Sequence, residues 1–511
     1  MRGASPAPVA RRGAITVSIM LATFMQGVDT TIANVALPHM QGSFSAAQDQ
    51  IAWVITSYIV AAAIMTPLTG WLAGRFGIKY VFLISVAGFT LASALCGVAA
   101  NLAQMVTYRL LQGMCGAALV PLSQSVLLQI NPPDRHAKAM SIWGMGVILG
   151  PIIGPALGGW LTDQYNWRWV FLINVPFGVL AAAGILIFIR ETRHAHREAF
   201  DFFGFATLSL AIGALQLLLD RGELKDWFGS TEICAEATIA GLAFYLFVVH
   251  TATATDRSFL NRDLLKDANC AVGTILMFLI AIPLFGTMVL LPTMMQELLN
   301  YPVLTTGLVT APRGIGTMLA MFVVSRFIGR VDTRFVILAG LVLTATALWQ
   351  MTGFSLFMGM GPVISTGVLQ GFGLGLVFTP LSIVTFSTLP RQILTQGTAI
   401  FSLTRNIGSS VGIAIVEALL AENTQIVHSR LVEHLRPDNP LARAPYMMPP
   451  FSLTDPTGVA ALNAEATRQA AMVAYIDDYK LMMVIVIVAL PLLLLLRRPR
   501  AAPEGAAVAA E

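Results

Sequence analysis

The sequence predicts an all-α polytopic membrane protein with 14 transmembrane helices, arranged as two six-helix bundles with two inserted helices. Composition supports a membrane protein, because 56% of the 511 residues are hydrophobic and only 11% are charged. Soluble proteins carry about 25% charged residues. The mean hydropathy is +0.74. Apolar runs of about 20 residues, the length that crosses a bilayer as a helix, recur along the chain.

The apolar runs define spans 1 to 14, and short loops join most of them. In chain order they are predicted near 14–36, 51–73, 80–100, 102–127, 137–161, 168–189, 202–219, 232–250, 268–293, 304–325, 334–354, 360–387, 395–420 and 475–496. One long connection, residues 421–474, is predicted as a large extramembrane loop that regains helix after Thr454. An even number of spans places both termini on one side of the membrane.

The distribution of lysine and arginine predicts which side of the membrane holds the termini. Of the 31 basic residues, 20 lie at the termini and in every second loop, whereas the opposite loops and helix ends hold eight. Basic loops remain in the cytoplasm, so both termini are predicted to be cytoplasmic in a cell (inner) membrane protein. Arg11 and Arg12 precede an apolar run that has no small-residue cleavage site, which indicates a retained span rather than a signal peptide.

Several classes of chemistry lack support in the sequence. The four cysteines lie in apolar segments, where they are typical core residues rather than disulfides or metal ligands. The seven histidines show no metal-binding spacing, and there is no G-x-x-x-x-G-K loop for a nucleotide. We therefore expect neither an enzyme nor a cofactor-dependent or ATP-driven protein.

An internal repeat divides the chain. Leu111-Gln112-Gly113 recurs 258 residues later as Leu369-Gln370-Gly371, and Gly150 and Gly154 recur at the same offset as Gly408 and Gly412. Several matches in one order indicate a duplicated six-helix unit with spans 7 and 8 inserted. The predicted divisions are a cytoplasmic N-terminus at 1–13, bundles at 14–189 and 268–496, inserted spans with flanking loops at 190–267, and a cytoplasmic tail at 497–511.

Span 5 contains an apolar stretch, 144–160, with six glycines and two prolines. Four of these glycines recur every fourth residue, which predicts a smooth face where another helix backbone can approach closely. The prolines permit a kink. Either a close-packed structural helix or a helix that bends or seals during conformational change fits this pattern, and the second is favoured. The residues concerned are Gly146, Gly150, Pro151, Gly154, Pro155 and Gly158.

Few ionisable residues lie deep inside a predicted span, and such residues are functional candidates because burial in a membrane is costly. They are Asp29, Arg109, Arg313, Arg405 and Glu417. Asp29 and Arg109 each lie about 10 Å below the outer surface at 1.5 Å per residue, so they can pair. At the repeat offset these positions hold Thr287 and Gly367, so the duplicated scaffold does not require the charges. A buried structural ion pair remains the alternative.

Four stretches carry a resemblance to a known family: 28–38 in span 1, 70–79 between spans 2 and 3, 109–113 in span 4, and 144–160 in span 5. Together they resemble the major facilitator superfamily and, within it, the fourteen-span drug:proton antiporters of the EmrB/QacA type. Residues 167–176 are also family-like. The resemblance implies the major facilitator fold and conformational roles for Gly70, Arg75, Gly77 and Lys79. Gly74 departs from the pattern, because the family usually has an acidic residue there.

The resemblance implies proton-driven efflux of lipophilic or amphipathic compounds by alternating access, with a proton gradient as the energy source. It also implies a periplasmic adaptor protein and an outer-membrane channel as partners at the 421–474 loop, with a mobile cap without a partner as the alternative. The alternative hypotheses are a proton-coupled symporter for a small metabolite and a membrane enzyme or receptor.

The predicted site has two parts. Asp29 carries the coupling proton, Arg109 sets its affinity, and Glu417 is the next candidate for coupling. The substrate cavity is predicted to be lined by polar and aromatic residues of several spans, with ordinary helix packing as the alternative for the aromatic ones. The cavity residues are Gln26, Asn34, Trp53, Tyr58, Gln112, Trp143, Arg313 and Arg405.

Overall fold

The computed structural model describes residues 11–132, 135–191, 200–253, 261–327, 331–390, 392–436, 451–453 and 455–497, and their regular structure is helical. Most of the predicted terminal tails and the Pro-rich segment 445–450 lie outside the described residues. Within the described part, 13 helices are long and apolar enough to cross a membrane, and a bent helix pair brings the number to 14. The predicted number of spans is thereby confirmed.

The spans of the first half and of the insertion follow the predicted order. Spans 1 to 8 are Arg12–Phe44, Trp53–Met65 with Leu68–Phe76, Ile78–Gly97, Leu102–Gly116 with Leu119–Ile130, His136–Gln164, Trp169–Leu172 with Asn174–Phe188, Phe202–Arg221, and Thr231–Thr253. Span 2 bends by 56° between its two helices. Pro67 lies at this break, and its missing N–H and its ring explain why the helix does not continue straight.

The second half repeats the arrangement. Spans 9 to 14 are Ala268–Glu297, Val303–Phe327, Thr333–Met351, Met360–Phe386, Leu394–Glu433, and Pro456–Ala489 extended by a 3-10 helix at Leu490–Leu495. Short helices at Gln48–Ile51, Glu223–Lys225, Trp227–Gly229 and Arg262–Lys266 lie in the connections.

The predicted long loop is helical at both ends. Span 13 continues to Glu433 and span 14 begins at Pro456, so the connection at 421–474 contains two helix extensions. Residues 421–433 contain neither glycine nor proline, which permits span 13 to continue. His428 Nε2 and Asn463 Oδ1 lie 3.0 Å apart and join the two extensions. A hydrogen bond from Thr457 lowers the pKa of Asp455, which caps the start of span 14.

The glycine face of span 5 is filled by span 1, the helix that carries Asp29. A Cβ atom at Gly150 would lie 2.6 Å from the carbonyl carbon of Gly27, and one at Gly158 would lie 2.7 Å from Cγ1 of Ile32. Any larger residue would force the two helices apart. The helix of span 5 continues through Pro151 and Pro155 without a break. The geometry thus matches the close helix approach expected from the sequence.

The repeat is visible in the packing. In the second half, a Cβ atom at Gly408 would lie 2.7 Å from the Phe278 carbonyl oxygen, and one at Gly412 would lie 2.7 Å from Ile282 Cα. Span 13 therefore packs on span 9 as span 5 packs on span 1. Likewise, Gly113 of span 4 lets the Tyr58 carbonyl of span 2 approach.

The two halves make close contacts at one end of the bundle. We call this end the terminal side, because span 1 begins there at Arg12 and the 3-10 helix ends there at Leu495; the opposite end is the far side. Ser125 and Thr395 hydroxyls lie 2.7 Å apart, and Thr398 donates a hydrogen bond of 3.1 Å to the Pro121 carbonyl. Each of these contacts joins span 4 to the first turns of span 13.

Two further contacts seal the same side. A Cβ atom at Gly70 would lie 2.7 Å from the Gln396 side chain, so span 2 also lies against span 13. Trp143 of span 5 is fully buried, with its ring stacked 6.3 Å from that of Phe378 in span 12. The sequence predicts Trp143 in the substrate cavity, but in this conformation Trp143 forms part of the contact between the halves.

Candidate functional site

The candidate site is a buried polar cluster around Asp29 of span 1. The Asp29 side chain has no exposed surface, and its Oδ2 accepts an ion-paired hydrogen bond of 2.8 Å from Arg109 Nη1. Its Oδ1 accepts hydrogen bonds from Gln112 Nε2 at 2.8 Å and from Asn174 Nδ2 at 2.9 Å. Donors from spans 4 and 6 therefore converge on one carboxylate, and the pairing that depth in the membrane made possible is present.

Arg109 connects this carboxylate to neighbouring helices. Its Nε donates to the Val54 carbonyl of span 2 at 3.0 Å, and its Nη1 donates to Gln112 Oε1 at 2.8 Å. Its guanidinium carbon lies 4.3 Å from the ring centre of Tyr58 and 5.6 Å from that of Phe171. A planar, permanently charged group suits this arrangement, because it binds a carboxylate, a carbonyl and an aromatic face together.

Sequence reasoning missed Asn174 as a site residue. Asn174 is 1% exposed, and its Nδ2 reaches both Asp29 and Ser93 Oγ, the latter at 3.0 Å. Ser93 in turn donates to the Phe171 carbonyl at 2.8 Å. The available signal was a single amide side chain inside the apolar run W-V-F-L-I-N-V-P of span 6. A polar side chain in such a run needs a hydrogen-bonding partner in the bundle.

The second half has an uncharged counterpart of the cluster. Gln370, which corresponds to Gln112 in the repeat, donates from Nε2 to Thr287 Oγ1 at 3.2 Å. Thr287 occupies the position that corresponds to Asp29. Nearby, Arg313 donates to the Leu284 carbonyl at 3.0 Å. The second half thus keeps the glutamine contact, with a threonine in place of the aspartate. The Asp29–Arg109 ion pair has no equivalent at the corresponding positions of the second half.

The predicted cavity residues do not gather in one cavity. Tyr58 and Gln112 are buried in the Asp29 cluster, whereas Gln26 is half-buried and Asn34 is exposed on span 1. Trp53 lines an apolar cavity of about 280 Å³ between spans 2, 4 and 7. Other residues of its wall are Ser57, Ala61, Met65, Leu110, Met114 and Leu217.

The remaining predicted charges lie apart from the Asp29 cluster. Arg405 is half-buried on span 13 and makes a long contact of 3.4 Å to Asn406 of its own helix. Glu417 is exposed on span 13, close enough to Asp220 and Glu223 at the end of span 7 to interact electrostatically with them. The two carboxylates near Glu417 make this an acidic area rather than an ion pair.

The loop between spans 2 and 3 is held by the rest of the first half. Gly77 has a φ of +92°, which favours glycine, and a side chain there would overlap the Glu191 carboxylate at the end of span 6. Lys79 Nζ donates to the Leu186 carbonyl of span 6 at 2.8 Å. The Arg75 guanidinium carbon lies 5.8 Å from the Trp71 ring centre. Span 6 therefore supplies a carboxylate to a loop that lacks one at Gly74.

Comparison with known proteins places these features in a family. Residues 19–413 match the model of the Major Facilitator Superfamily. The multidrug export protein EmrB of Escherichia coli K12 is 38% identical over 435 residues, which cover 84% of this chain and 85% of EmrB. The fatty acid resistance protein FarB of Neisseria gonorrhoeae is 36% identical, over 83% of each chain.

Solved structures agree on the fold. The human organic anion transporter MFSD10 (TETRAN) superposes with a TM-score of 0.60 at 14% identity, covering 93% of this chain and 99% of that chain. At this identity the likeness concerns the fold alone. The helical architecture, the duplicated bundles and the sequence matches lead to one assignment: the chain belongs to the Major Facilitator Superfamily and, within it, to the EmrB/QacA type.

Proposed function

We propose that this protein is a proton-driven exporter of lipophilic or amphipathic compounds that works by alternating access. The observation that carries the proposal is the buried Asp29–Arg109 pair, at 2.8 Å, at a position where the repeat has Thr287 instead of a carboxylate. Relatives that are named for multidrug export and fatty acid resistance support the direction of transport and the class of compound.

Protonation of Asp29 links the proton gradient to helix movement. The new O–H bond neutralises the carboxylate and removes the charge that Arg109 binds. Arg109, Gln112 and Asn174 hold Asp29 from spans 4 and 6, so protonation weakens the attachment of these spans to span 1. A proton that crosses a potential of 100 mV releases about 2.3 kcal/mol. A tenfold concentration ratio across the membrane corresponds to about 1.4 kcal/mol, so this free energy sustains roughly a 50-fold concentration gradient of a neutral compound.

The proposed location is a cell (inner) membrane with both termini in the cytoplasm. The distribution of lysine and arginine supports this orientation. The sealed terminal side then faces the cytoplasm, and the far side is the side of proton entry and substrate release. The proposed exporter needs no cofactor, since the proton gradient is its energy source.

Transport by the purified protein tests the proposal. In proteoliposomes with an imposed proton gradient, we expect ethidium, as a fluorescent lipophilic cation, or palmitate to move against the flow of protons. Protein-free liposomes control for leakage, and collapse of the gradient by an uncoupler should stop the movement. Movement of the compound in the same direction as the protons would instead identify a symporter.

The far-side helix extensions are the proposed docking region for a periplasmic adaptor that leads to an outer-membrane channel. Because His428 and Asn463 lie 3.0 Å apart, a short Gly-Ser linker can join residue 429 to residue 461 in place of 430–460. We expect this deletion to spare transport in proteoliposomes and to abolish drug resistance in cells. Removal of 501–511 is the control. Full resistance in cells that carry the 430–460 deletion would contradict the adaptor proposal.

A further inference from the structure

A second buried carboxylate lies in the other half of the protein. Asp478 of span 14 is 1% exposed, and neither of its carboxylate oxygens has a hydrogen-bond partner among the described residues. The ion pairs of the described residues do not include it. Asp29, by contrast, accepts three hydrogen bonds and pairs with an arginine.

Two tyrosines of the same helix lie near Asp478. Tyr475 and Tyr479, one turn apart, are both almost fully buried and interact electrostatically with Asp478. Tyr479 donates from its hydroxyl to the sulfur of Met294 at 3.6 Å, and its ring packs edge-on against Phe354 at 5.8 Å. The Tyr475 hydroxyl has no partner among the described residues. The pocket is therefore enclosed and mainly apolar.

Among the described residues, no cation of the packed helices forms an ion pair with this carboxylate. Spans 9, 11 and 13 pack against span 14. Of these, span 9 brings the titratable group Glu297 close to Tyr475. On span 14 itself, the neighbouring charge is Asp477, which is partly exposed and pairs with Lys480 at 2.9 Å. The titratable groups that interact with Asp478 are thus Asp477, Tyr475 and Tyr479, while Glu297 interacts with Tyr475.

An ionised carboxylate in this pocket would be costly. An uncompensated buried charge costs several kcal/mol even after relaxation. A proton removes this cost by forming one O–H bond on a carboxylate oxygen. A metal cation fits poorly, because calcium needs six to eight oxygen ligands and magnesium demands six in octahedral geometry. One carboxylate and one tyrosine hydroxyl are too few.

We propose that Asp478 is a second proton-binding site, so that each transport cycle carries two protons. The proposal rests on the proposed proton-driven export. Between Asp478 and Leu496 on the terminal side lie about 12 residues of α-helix and six of 3-10 helix, or roughly 30 Å at rises of about 1.5 and 2.0 Å per residue. This depth is close to the far edge of a hydrocarbon layer about 30 Å thick. Protons therefore reach Asp478 from the far side, and they leave when water enters the pocket in the opposite conformation.

Infrared spectroscopy tests the site without any transport. Full-length protein in nanodiscs is titrated with pH, and the carbonyl band of a protonated carboxylic acid is followed. We expect Asp478→Asn to lose a component of this band, whereas Asp477→Asn, its partly exposed neighbour, keeps the wild-type spectrum. Identical spectra for wild type and Asp478→Asn would overturn the proposal. So would loss of the band on addition of sodium chloride at constant pH, because it would identify a cation site.

The proton count tests the functional consequence. In proteoliposomes clamped at zero membrane potential, a tenfold proton gradient should sustain about a 100-fold substrate gradient when two protons are exchanged and about tenfold when one is. The substrate is ethidium, whose charge does not change with pH. We expect the wild type and Asp478→Glu to reach the 100-fold substrate gradient, and Asp478→Asn to reach the tenfold one. An unchanged 100-fold gradient in Asp478→Asn would overturn the second site. No gradient in the wild type would instead refute proton-driven export, while the infrared result still decides whether Asp478 binds a proton.

Discussion

Asp29→Asn is expected to abolish proton-driven export, with at least a 100-fold loss of active transport in proteoliposomes. Asparagine has nearly the same shape as aspartate and keeps one carbonyl oxygen for Gln112 or Asn174, so the bundle should still assemble, with a lower stability because the buried Arg109 charge loses its partner. It cannot gain or lose a proton in the physiological range, and it carries no charge for Arg109. Exchange of labelled for unlabelled compound without a gradient should persist, because that exchange needs no proton.

Two comparisons make this result specific. Asp163→Asn removes an exposed carboxylate at the far end of span 5 and should leave export unchanged. Asp29→Glu keeps a titratable group and should retain part of the activity. Export at the wild-type rate by Asp29→Asn under a proton gradient would show that coupling lies elsewhere. Glu417 would then be the next residue to replace.

The sequence predicted the Asp29–Arg109 pair because both residues are charges deep in apolar spans at equal depth. It predicted the close approach of another helix backbone to span 5 because only backbone shape matters along a row of glycines, but it did not identify that helix as span 1. Asn174 was not predicted because it is uncharged, whereas the candidates for the Asp29 site were the ionisable residues deep inside the spans. Its role depends on span 6 lying beside span 1, which no local pattern specifies.

The sequence did not predict Asp478 as a site residue, for a different reason. Asp477 and Asp478 are the third and fourth residues of the predicted span 475–496, so in the sequence they look like residues at a solvated helix end. In the structure the helix begins much earlier, at Pro456, and spans 9, 11 and 13 pack against it. Asp477 and Asp478 then point in different directions, and one is partly exposed while the other is buried. Burial of one of two adjacent acids is decided by tertiary packing.

The cavity residues were the least predictable part of the site. An alternating-access protein exchanges contacts between its halves, so a residue can be buried in one conformation and wet in another. Trp143 illustrates this, since it stacks on Phe378 where the terminal side is sealed. Composition shows that aromatic and polar residues are present in the spans, but it does not specify which conformation exposes them.

Arg109→Gln is expected to destabilise the protein as well as to stop proton-driven export. Removal of one partner from a buried ion pair leaves the other charge uncompensated, at a typical cost of about 3–5 kcal/mol. Here the substitution also removes the hydrogen bond of 3.0 Å to the Val54 carbonyl, which links span 4 to span 2. Thermal unfolding of the protein in detergent measures the first effect, and proteoliposome transport measures the second. Arg109→Lys should rescue only partly, because an ammonium group cannot reproduce the planar contacts to Asp29, Val54 and Tyr58.

The double variant Asp29→Asn with Arg109→Gln separates structure from coupling. It contains no uncompensated charge at this site, so its unfolding temperature should recover most of the loss seen in Arg109→Gln. Its proton-driven export should remain absent, because no titratable group is left at the site. A double-mutant cycle on unfolding free energies then gives the interaction energy of the pair. Recovery of both stability and export would mean that the pair serves only to hold spans 1 and 4 together. Recovery of stability alone would assign the pair to proton coupling, since a purely structural ion pair can be replaced by neutral residues without loss of transport.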